Sequence, residues 1–319
     1  MLSRVANNLY WMSRSLERAE HTARVIDVNL VLMLDQAPAY AGQRWNRLMR
    51  SLRTDHPEHT PDDPQKIAQA LIFDRSMPLS VVSMLTTARD NARQVRNQLS
   101  SEMWEQINRL YLQVSASVND PIWDGRTHAL LRGIIEGVQL FHGITDATMR
   151  QDEGWHFLRV GHFLERATAT TSLLDAYFGD RAVGERPDIQ HDYLDWVSLL
   201  KSRTAFEAYC QVYTADLQPE RIAAFMLLNS EFPHSARFAA ERLQVALSTI
   251  ARLTNARKSA QIERVAGRLR ATLDYAQIDE IMADDLLAFL QDVQRQCGQL
   301  HALLHEVYFQ PPIEAVLVS

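Results

Sequence analysis

The chain has 319 residues, of which 46% are hydrophobic and 23% are charged, and its formal net charge is −6. This composition is ordinary for a globular protein, and the length suggests about two domains. Proteins that bind nucleic acid through its phosphates are usually basic, so the acidic balance argues against a nucleic-acid partner. The sequence has only 11 glycines and 11 prolines, which favours long helices over a sheet with many turns.

Two features bear on the compartment of the protein. The two cysteines, Cys210 and Cys297, have no metal-ligand spacing, so we expect a reduced, cytoplasmic protein in which both are small core residues. The first residues, "MLSRVANNLYW", lack the apolar core of a signal peptide. The most apolar early stretch, "VNLVLMLD", is much shorter than the about 20 residues that a membrane span needs. We therefore expect no membrane partner.

Apolar residues recur every three or four positions at the start of the chain, which predicts one long amphipathic helix over residues 2–35. A polar stripe runs along the same helix at spacings of four and three: Tyr10, Arg14, Glu17, His21 and Arg24. Arg14 can reach Glu17 within the helix, and Glu17 can reach His21. Arg18 follows Glu17 directly and points away from it, so these two residues need different partners.

The sequence of the first predicted helix recurs, with changes, later in the chain. The segment "LERAEHTARVID" begins at Leu16, and "LERATATTSLLD" begins at Leu164, so that an adjacent Glu-Arg pair occurs twice. The two pairs are Glu17-Arg18 and Glu165-Arg166. Two further blocks match in the same order: "RWNRLMRSL" with "DWVSLLKSR", and "FDRSMPLSVVSML" with "LNSEFPHSARFAA". Three ordered matches predict a duplication that divides the chain into residues 1–148 and 149–319.

The rest of the sequence has helical periodicity and no alternating strand pattern. The predicted fold class is therefore all-α, with two pseudo-symmetric helical-bundle repeats packed together. Pro64 and Pro78 mark helix starts, and Ser101 is expected to cap another helix. Helices are predicted over 78–100, 101–117, 126–150 and 282–309. Loops are predicted over 35–43, 54–64 and 179–190.

Three interpretations of the Glu-Arg pairs remain open. The pairs can lie on solvated helix faces and contribute little. They can lock two long helices together, with Glu17 paired to Arg166 and Glu165 paired to Arg18. They can belong to a ligand or catalytic site in which Glu17, His21 or Glu165 is the acid or base. A buried glutamate among arginines stays ionised, which suits holding a substrate better than general-acid chemistry.

An arginine row is a second candidate binding site. Arg89, Arg93 and Arg96, in the stretch "ARDNARQVRNQL", fall on one helical face and can bind a carboxylate or a phosphate. Rows of this kind are more often solvated faces held by charge pairs. Glu102 and Glu105, just downstream, are ready counter-charges if the helices fold back on each other.

Metal and cofactor signals are weak. Glu153 and His156 have the spacing that di-iron helical bundles use, but the first copy has neither ligand at the corresponding place. His301 and His305 share a helical face and have no apparent third ligand. The sequence has no glycine-rich phosphate loop, nucleophile elbow or HExxH motif. We therefore predict no metal and no cofactor, and a self-sufficient hydrolase is hard to support.

Three blocks give the chain, over essentially its whole length, a specific resemblance to the alpha-E domain family. They are "MLSRVANNLYWMSRSLERAEHTARVIDVN", "LTTARDNARQVRNQLSSEMWEQINRLY" and "GWHFLRVGHFLERA". The family is an all-helical domain that is typically duplicated in tandem and is marked by a Glu-Arg motif. Five residues fall on its motif positions: Arg14, Glu17, Arg18, Glu165 and Arg166. His162 stands where the family pattern leads us to expect an arginine or a similar residue.

The resemblance implies a functional context. Alpha-E proteins are associated by gene neighbourhood with circularly permuted ATP-grasp amide ligases, transglutaminase-like proteins and Ntn-hydrolase-type peptidases, in a proposed peptide synthesis or modification system. Within that context, our leading hypothesis is a cytoplasmic, non-catalytic helical partner of an ATP-grasp peptide ligase. An alternative is an enzyme that acts on a peptide or an amino-acid-like substrate in a pocket formed by the polar stripe. A third is a structural dimer with an extensive apolar interface.

Overall fold

The computed structural model describes residues 1–35, 41–54, 63–118, 126–182, 189–254 and 259–310. Within these ranges the chain forms fourteen α-helices and no β-strand, which confirms the predicted all-α class. In the same part of the chain, no helix combines the length and the apolar character that crossing a membrane requires.

The helices follow in this order: α1 (Ser3–Asp35), α2 (Ala41–Ser51), α3 (Pro64–Phe73), α4 (Val81–Gln94), α5 (Ser101–Ser117), α6 (Arg126–Thr148), α7 (Glu153–Ala182), α8 (Ile189–Lys201), α9 (Phe206–Tyr213), α10 (Pro219–Leu228), α11 (Ala236–Thr254), α12 (Ser259–Asp274), α13 (Ile278–Asp284) and α14 (Leu286–Leu304). A 3-10 turn, Arg96–Gln98, follows α4, and a π-helical turn, His305–Phe309, follows α14. The longest helices are α1 and α7, with 33 and 30 residues. The two Glu-Arg pairs lie on these two helices.

The predicted first helix is confirmed as α1. Its apolar seam has no exposed surface at six successive positions: Leu9, Met12, Leu16, Ala19, Ala23 and Ile26. The helix that carries the seam packs against α4, α6 and α7. Because burying one large apolar side chain contributes about 1.5–3 kcal/mol, this seam is a major source of stability.

The two longest helices form the centre of the molecule. They run against each other, and α1 also contacts α4 and α6 while α7 also contacts α2, α11 and α14. Outside them, α5 packs on α4 and α6, and α12 packs on α11 and α14. The set α4, α5 and α6 is therefore arranged beside α1 much as the set α11, α12 and α14 is arranged beside α7. This arrangement agrees with a duplication, and the duplication and its boundary near residue 148 stay predictions.

A glycine allows the two central helices to approach closely. A Cβ atom added to Gly161 of α7 would lie 2.4 Å from the backbone oxygen of Tyr10 in α1. A larger residue would push the helices apart, so the close crossing depends on this glycine. Glu165 and Arg166 lie about one turn further along α7, and the crossing holds them against α1.

Two predicted helix starts are displaced in the structure, whereas α3 begins at its predicted proline. The start of α4 is Val81 and not Pro78, because the side chain of Ser80 caps the first turn. The cap of α5 is Ser100 and not Ser101, for the same reason. In both helices a serine hydroxyl satisfies a backbone N–H that the first turn leaves free.

Three predicted helix ends also differ. A 3-10 turn replaces the last part of the predicted helix 78–100. The predicted loop 179–190 is partly helical, since α7 continues to Ala182. The predicted helix 282–309 is interrupted at Asp285, whose backbone is extended and whose side chain caps α14. Most of the predicted loops 35–43 and 54–64 lies outside the described residues.

Candidate functional site at the crossing of α1 and α7

Glu17 and Arg166 form a buried ion pair between the central helices. Arg166 Nε and Nη2 donate to the two carboxylate oxygens of Glu17 at 2.9 and 3.1 Å. Glu17 is 1% exposed, and a second guanidinium nitrogen, Arg203 Nη2, lies 4.0 Å from its Oε1. The carboxylate therefore has its charge satisfied by the protein and not by water.

Glu165 and Arg18 form the reciprocal pair. Arg18 Nε and Nη2 donate to the two oxygens of Glu165 at 2.6 and 2.7 Å, and Arg14 Nε donates to one of them at 2.8 Å. Glu165 and Arg14 are buried, while Arg18 is partly exposed. Both exchanges expected from the sequence are present. The alternative of two solvated glutamates is wrong, because each carboxylate lies inside the helix interface.

Both glutamates are ionised at neutral pH. Burial by itself would raise the pKa of Glu17, but the guanidiniums of Arg166 and Arg203 outweigh it and hold that pKa far below the usual range. Burial acts in the same direction on Glu165, and Arg18 and Arg14 outweigh it and lower the pKa to about 2. Neither group carries a proton that it can give to a substrate at neutral pH.

The contacts predicted within the polar stripe of α1 are not formed. Arg14 turns to Glu165 instead of Glu17, and His21 turns to Arg203. Pairs three or four residues apart in a helix contribute only about 0.2–0.5 kcal/mol, and buried pairs that involve two hydrogen bonds are stronger. Arg14 and His21 therefore bind partners from distant parts of the chain and not Glu17 on their own helix.

His21 is a neutral imidazole in a defined tautomer. Arg203 Nη1 lies 3.2 Å from His21 Nδ1, and a guanidinium can only donate, so Nδ1 accepts and the ring proton is on Nε2. Burial, together with the charge of Arg203, lowers the pKa of His21 to about 3. Within the described part of the chain, Nε2 has no hydrogen-bond partner. His21 thus offers one unused, buried N–H donor.

Tyr10, the first residue of the polar stripe, is covered by the end of α14 and the π-helical turn that follows it. Tyr10 Oη lies 2.7 Å from His301 Nδ1 and accepts from Arg14 Nη1 at 2.8 Å. The rings of His305 and Phe309 pack around Tyr10. Burial raises the pKa of Tyr10 to about 12. Tyr10 is thus an interior side chain, and the two histidines predicted on one face pack around it.

Four polar side chains of this region were not predicted from the sequence: Glu20 and Arg203 are buried, and His142 and His234 are partly buried. Glu20 accepts from Arg24 at 2.6 Å, and burial followed by the charge of Glu17 raises its pKa. The repeat carried one usable signal. In the match of "RWNRLMRSL" with "DWVSLLKSR", Arg203 takes the place of Leu52, and a charge in place of an apolar residue indicates a new polar contact.

One cluster has the donor set of a metal site. Ligand atoms of Glu17, His142 and His162 lie within 4.8 Å of one another. His162 Nδ1 is 3.1 Å and His142 Nε2 is 3.7 Å from Glu17 Oε2. Burial lowers the pKa of both imidazoles, so both are neutral and have a lone pair for a metal. However, Arg166 already bonds both oxygens of Glu17 and Arg203 adds positive charge, which opposes a divalent cation.

The arginine row does not form a common face, because α4 ends before Arg96. Arg89 lies 4.4 Å from the ring centre of Tyr111, Arg96 lies 5.7 Å from that of Trp104, and Arg93 is exposed. Glu102, expected as a counter-charge, forms no ion pair with these arginines within the described residues. Aromatic faces take the place of the predicted carboxylates.

The remaining candidates do not extend the site. Glu153 pairs with the amino group of Met1 at 2.9 Å and not with a metal-ligand partner, and His156 is only partly buried. Both cysteines are free thiols. Cys297 is buried as predicted, whereas Cys210 is only half-buried.

A cavity of about 300 Å³ opens beside Glu165. Its lining consists of Arg14, Arg18, His21, Ser51, Leu52, Arg53, Leu79, Glu165, Thr168, Ala169 and Ser172. Of the predicted polar stripe, only Arg14 and His21 belong to this lining. The pocket expected from the full stripe is therefore not formed here, and a smaller one that includes Glu165 is present.

The geometry defines an all-helical protein whose two longest helices are joined by two reciprocal, buried carboxylate–guanidinium pairs. The Alpha-E family, described as a predicted alpha-helical domain with a conserved ER motif, matches residues 1–309. The chain belongs to this family. Its ER dipeptides, Glu17-Arg18 and Glu165-Arg166, supply all four members of the two pairs.

Similar proteins occur in mycobacteria. The relatives include an uncharacterised protein of Mycobacterium bovis and uncharacterised proteins of two strains of Mycobacterium tuberculosis, each 23% identical over 342 residues. The match covers 95% of this chain and 36% of each relative, so the chain spans about a third of their length. No solved structure matches the chain significantly.

Proposed function

We propose that the chain is a non-catalytic helical partner of an ATP-grasp amide ligase in a peptide synthesis or modification system, with a transglutaminase-like protein as a further partner. The observation that carries the first half of this proposal is the state of the three candidate acid/base groups. Glu17 and Glu165 are ionised and held by guanidiniums, and His21 is neutral with a pKa of about 3. Groups that transfer protons in catalysis work best when their pKa lies near the working pH.

The choice of an ATP-grasp ligase as partner rests on membership of the Alpha-E family and on the gene neighbourhood that the resemblance implies. The length of the relatives supports a role beside other domains. Because the matched region is 36% of each relative, most of each of those proteins is additional sequence. A region that folds around its own charge pairs is suited to act as a rigid platform for such neighbours.

The alternative of an enzyme with a peptide or amino-acid-like substrate has one observation in its favour. Arg14, His21 and Glu165 line a cavity of about 300 Å³, which is a volume that small-molecule sites use. Against it, Tyr10 and Glu17 are not among the residues that line this cavity. The alternative therefore depends on a reaction that needs substrate holding and not proton transfer.

Co-purification tests the partner proposal. The tagged chain is expressed together with a circularly permuted ATP-grasp ligase from the same genome, and the complex is measured by size-exclusion chromatography with light scattering. We expect one complex of defined stoichiometry, and faster ATP turnover by the ligase when the chain is present. Arg132→Ala, in an exposed helical pair, is the control that should leave both results unchanged.

Failure of the wild-type chain to bind or stimulate the ligase would remove the proposal. Turnover of a peptide by the chain alone, with no ligase present, would favour the enzyme alternative instead. A Glu17→Gln/Glu165→Gln variant adds information only if its circular dichroism spectrum shows that it remains folded. In that case, unchanged binding would mean that the charge pairs serve the fold and not the partner.

A further inference from the structure

We propose that the cavity beside Glu165 binds the carboxylate group of a small ligand of about the size of an amino acid or a dipeptide. Arg53, His21 and Ser172 contact that carboxylate. This inference goes beyond the proposed function, because it holds whether or not the chain has a ligase as partner. It requires binding and no chemical step.

Two buried donors in the cavity lining lack an acceptor. His21 is 5% exposed and Ser172 is 4% exposed. Within the described residues, neither His21 Nε2 nor Ser172 Oγ has a hydrogen-bond partner. His21 Nε2 carries a proton, because its other ring nitrogen accepts from Arg203. Buried donors are nearly always paired in native proteins, so this part of the lining favours a ligand that brings acceptor oxygens.

Arg53 supplies the charge. Arg53 lines the cavity, its side chain is exposed, and it has no ion-pair or hydrogen-bond partner in the part of the chain that the structure describes. Its charge also acts on the carboxyl group of Asp175, where it favours the ionised form. The backbone of Arg53 is left-handed, with φ 55°, directly after α2. Glycine is the usual residue at such a helix end.

The balance of charge favours an anion. Three guanidiniums and one carboxylate line the cavity, which leaves two positive charges. Two of these guanidiniums, Arg14 and Arg18, are bonded to Glu165, whereas Arg53 has no such bond within the described residues. A single free guanidinium matches the two oxygens of one carboxylate. The fixed charge of Glu165 repels a doubly charged phosphate more strongly than a carboxylate.

The apolar part of the lining accommodates the rest of the ligand. Leu52, Leu79 and Ala169 lie in the same cavity as the donors. Its volume of about 300 Å³ is at the lower end of the range for ligand sites. A short side chain or one further peptide unit fits such a space, whereas a folded partner does not.

The test compares alanyl-alanine with its C-terminal amide, which differs only in the carboxylate. Binding to the full chain is measured by isothermal titration calorimetry and by the shift in thermal midpoint, up to millimolar concentrations. We expect the dipeptide to bind, the amide to bind at least about tenfold more weakly, and inorganic phosphate to bind more weakly than the dipeptide. Equal binding of dipeptide and amide, tighter binding of phosphate, or no binding of the dipeptide would overturn the proposal.

Two matched variants separate binding from folding. Arg53→Gly removes the guanidinium and places glycine where the backbone is left-handed, so we expect an unchanged or raised thermal midpoint and at least about tenfold weaker binding. Thr204→Gly makes the same change at the end of α8, where φ is also near 55° and the residue does not line the cavity. Dipeptide binding should survive in Thr204→Gly. Wild-type affinity in Arg53→Gly would contradict the assignment.

Discussion

Glu17 is the most enclosed charge of the crossing. Its oxygens accept from Arg166, and His162 Nδ1 lies 3.1 Å away. Taking a carboxylate out of water is costly, and the nearby guanidiniums offset that cost only while they stay in place. The pair therefore acts less as a source of stability than as a condition for the fold, because either charge alone would be buried without compensation.

Removal of one charge of the Glu17–Arg166 pair should be more harmful than removal of both. Arg166→Met should lower the free energy of unfolding by about 3–5 kcal/mol, since it leaves the buried carboxylate of Glu17 with Arg203, 4.0 Å away, as its remaining guanidinium and with two neutral imidazoles. Glu17→Met/Arg166→Met should recover a substantial part of the loss, because both charges are gone. Urea denaturation followed by circular dichroism measures both values. A double variant that is less stable than Arg166→Met would contradict this account.

The sequence predicted the partners of the Glu-Arg pairs but not their surroundings. Arg18 points away from Glu17 on the same helix, and the same dipeptide recurs in a second helix, so an exchange between helices was the simplest solution. Arg203 and His142 lie outside α1 and α7 and outside the Glu-Arg motif. Only the packing of α6 and α8 around the crossing brings them within reach of Glu17.

At the scale of elements, the crossing of α1 and α7 depends on shape as much as on charge. The absent side chain at Gly161 lets the helices approach, and the charge pairs lie about one turn beyond it. The geometry of the hydrogen bonds between Arg166 and Glu17 therefore depends on the distance between the helices. A change in that distance affects both pairs together.

Two glycine substitutions in α7 test this dependence. Gly161→Ala should destabilise the fold by more than about 1 kcal/mol, because its Cβ would lie 2.4 Å from the Tyr10 carbonyl oxygen. Gly179→Ala meets nothing within 4 Å and should stabilise the helix by up to about 1 kcal/mol. Thermal unfolding of both variants measures the difference. Equal effects of the two substitutions would exclude a close-contact role for Gly161.

Long elements were predictable and their ends were less so. The heptad seam of α1 extends over nearly the whole helix, so periodicity alone located it. The ends of α4 and α14 depend on single serine and aspartate caps, which compete with neighbouring residues of similar preference. The interruption at Asp285 was missed because the apolar pattern continues across it.

On the scale of the whole molecule, the described charge pairs connect distant parts of the sequence. Arg47 of α2 bonds Asp180 of α7 at 2.6 Å and Asp195 of α8 at 2.7 Å. Together with the ion pairs between α1 and α7, these pairs join the first predicted repeat, residues 1–148, to the second, residues 149–319. The left-handed residues Arg53 and Thr204, which correspond in the predicted repeat, support the duplication as a hypothesis.

Stability should decline in mild acid. Burial lowers the pKa of His21 to about 3 and that of His142 to about 4, from an ordinary 6.5. Below pH 6.5 these histidines bind protons in the unfolded chain but not in the folded chain. Their contribution to the free energy of unfolding is therefore complete above pH 6.5 and decreases as the pH falls toward about 4. Each of these two histidines contributes at most about 1.4 kcal/mol per pH unit. Glu165 adds a second loss as the pH falls from 4.5 toward about 2.

Urea midpoints measured from neutral pH downward check this decline. His142→Asn removes one titrating group and should make the slope between pH 6.5 and about 4 shallower than in the wild type. A wild-type midpoint that is constant over this interval would show that these imidazoles are not held neutral.

The reciprocal ion pairs between α1 and α7 also have a consequence for folding during synthesis on the ribosome. Glu17 is synthesised before the arginine that neutralises it, which follows 149 residues later. Until α7 has left the exit tunnel, the nascent α1 has an apolar seam and a carboxylate without its final neighbours. The native crossing of α1 and α7 therefore forms only after α7 has been synthesised.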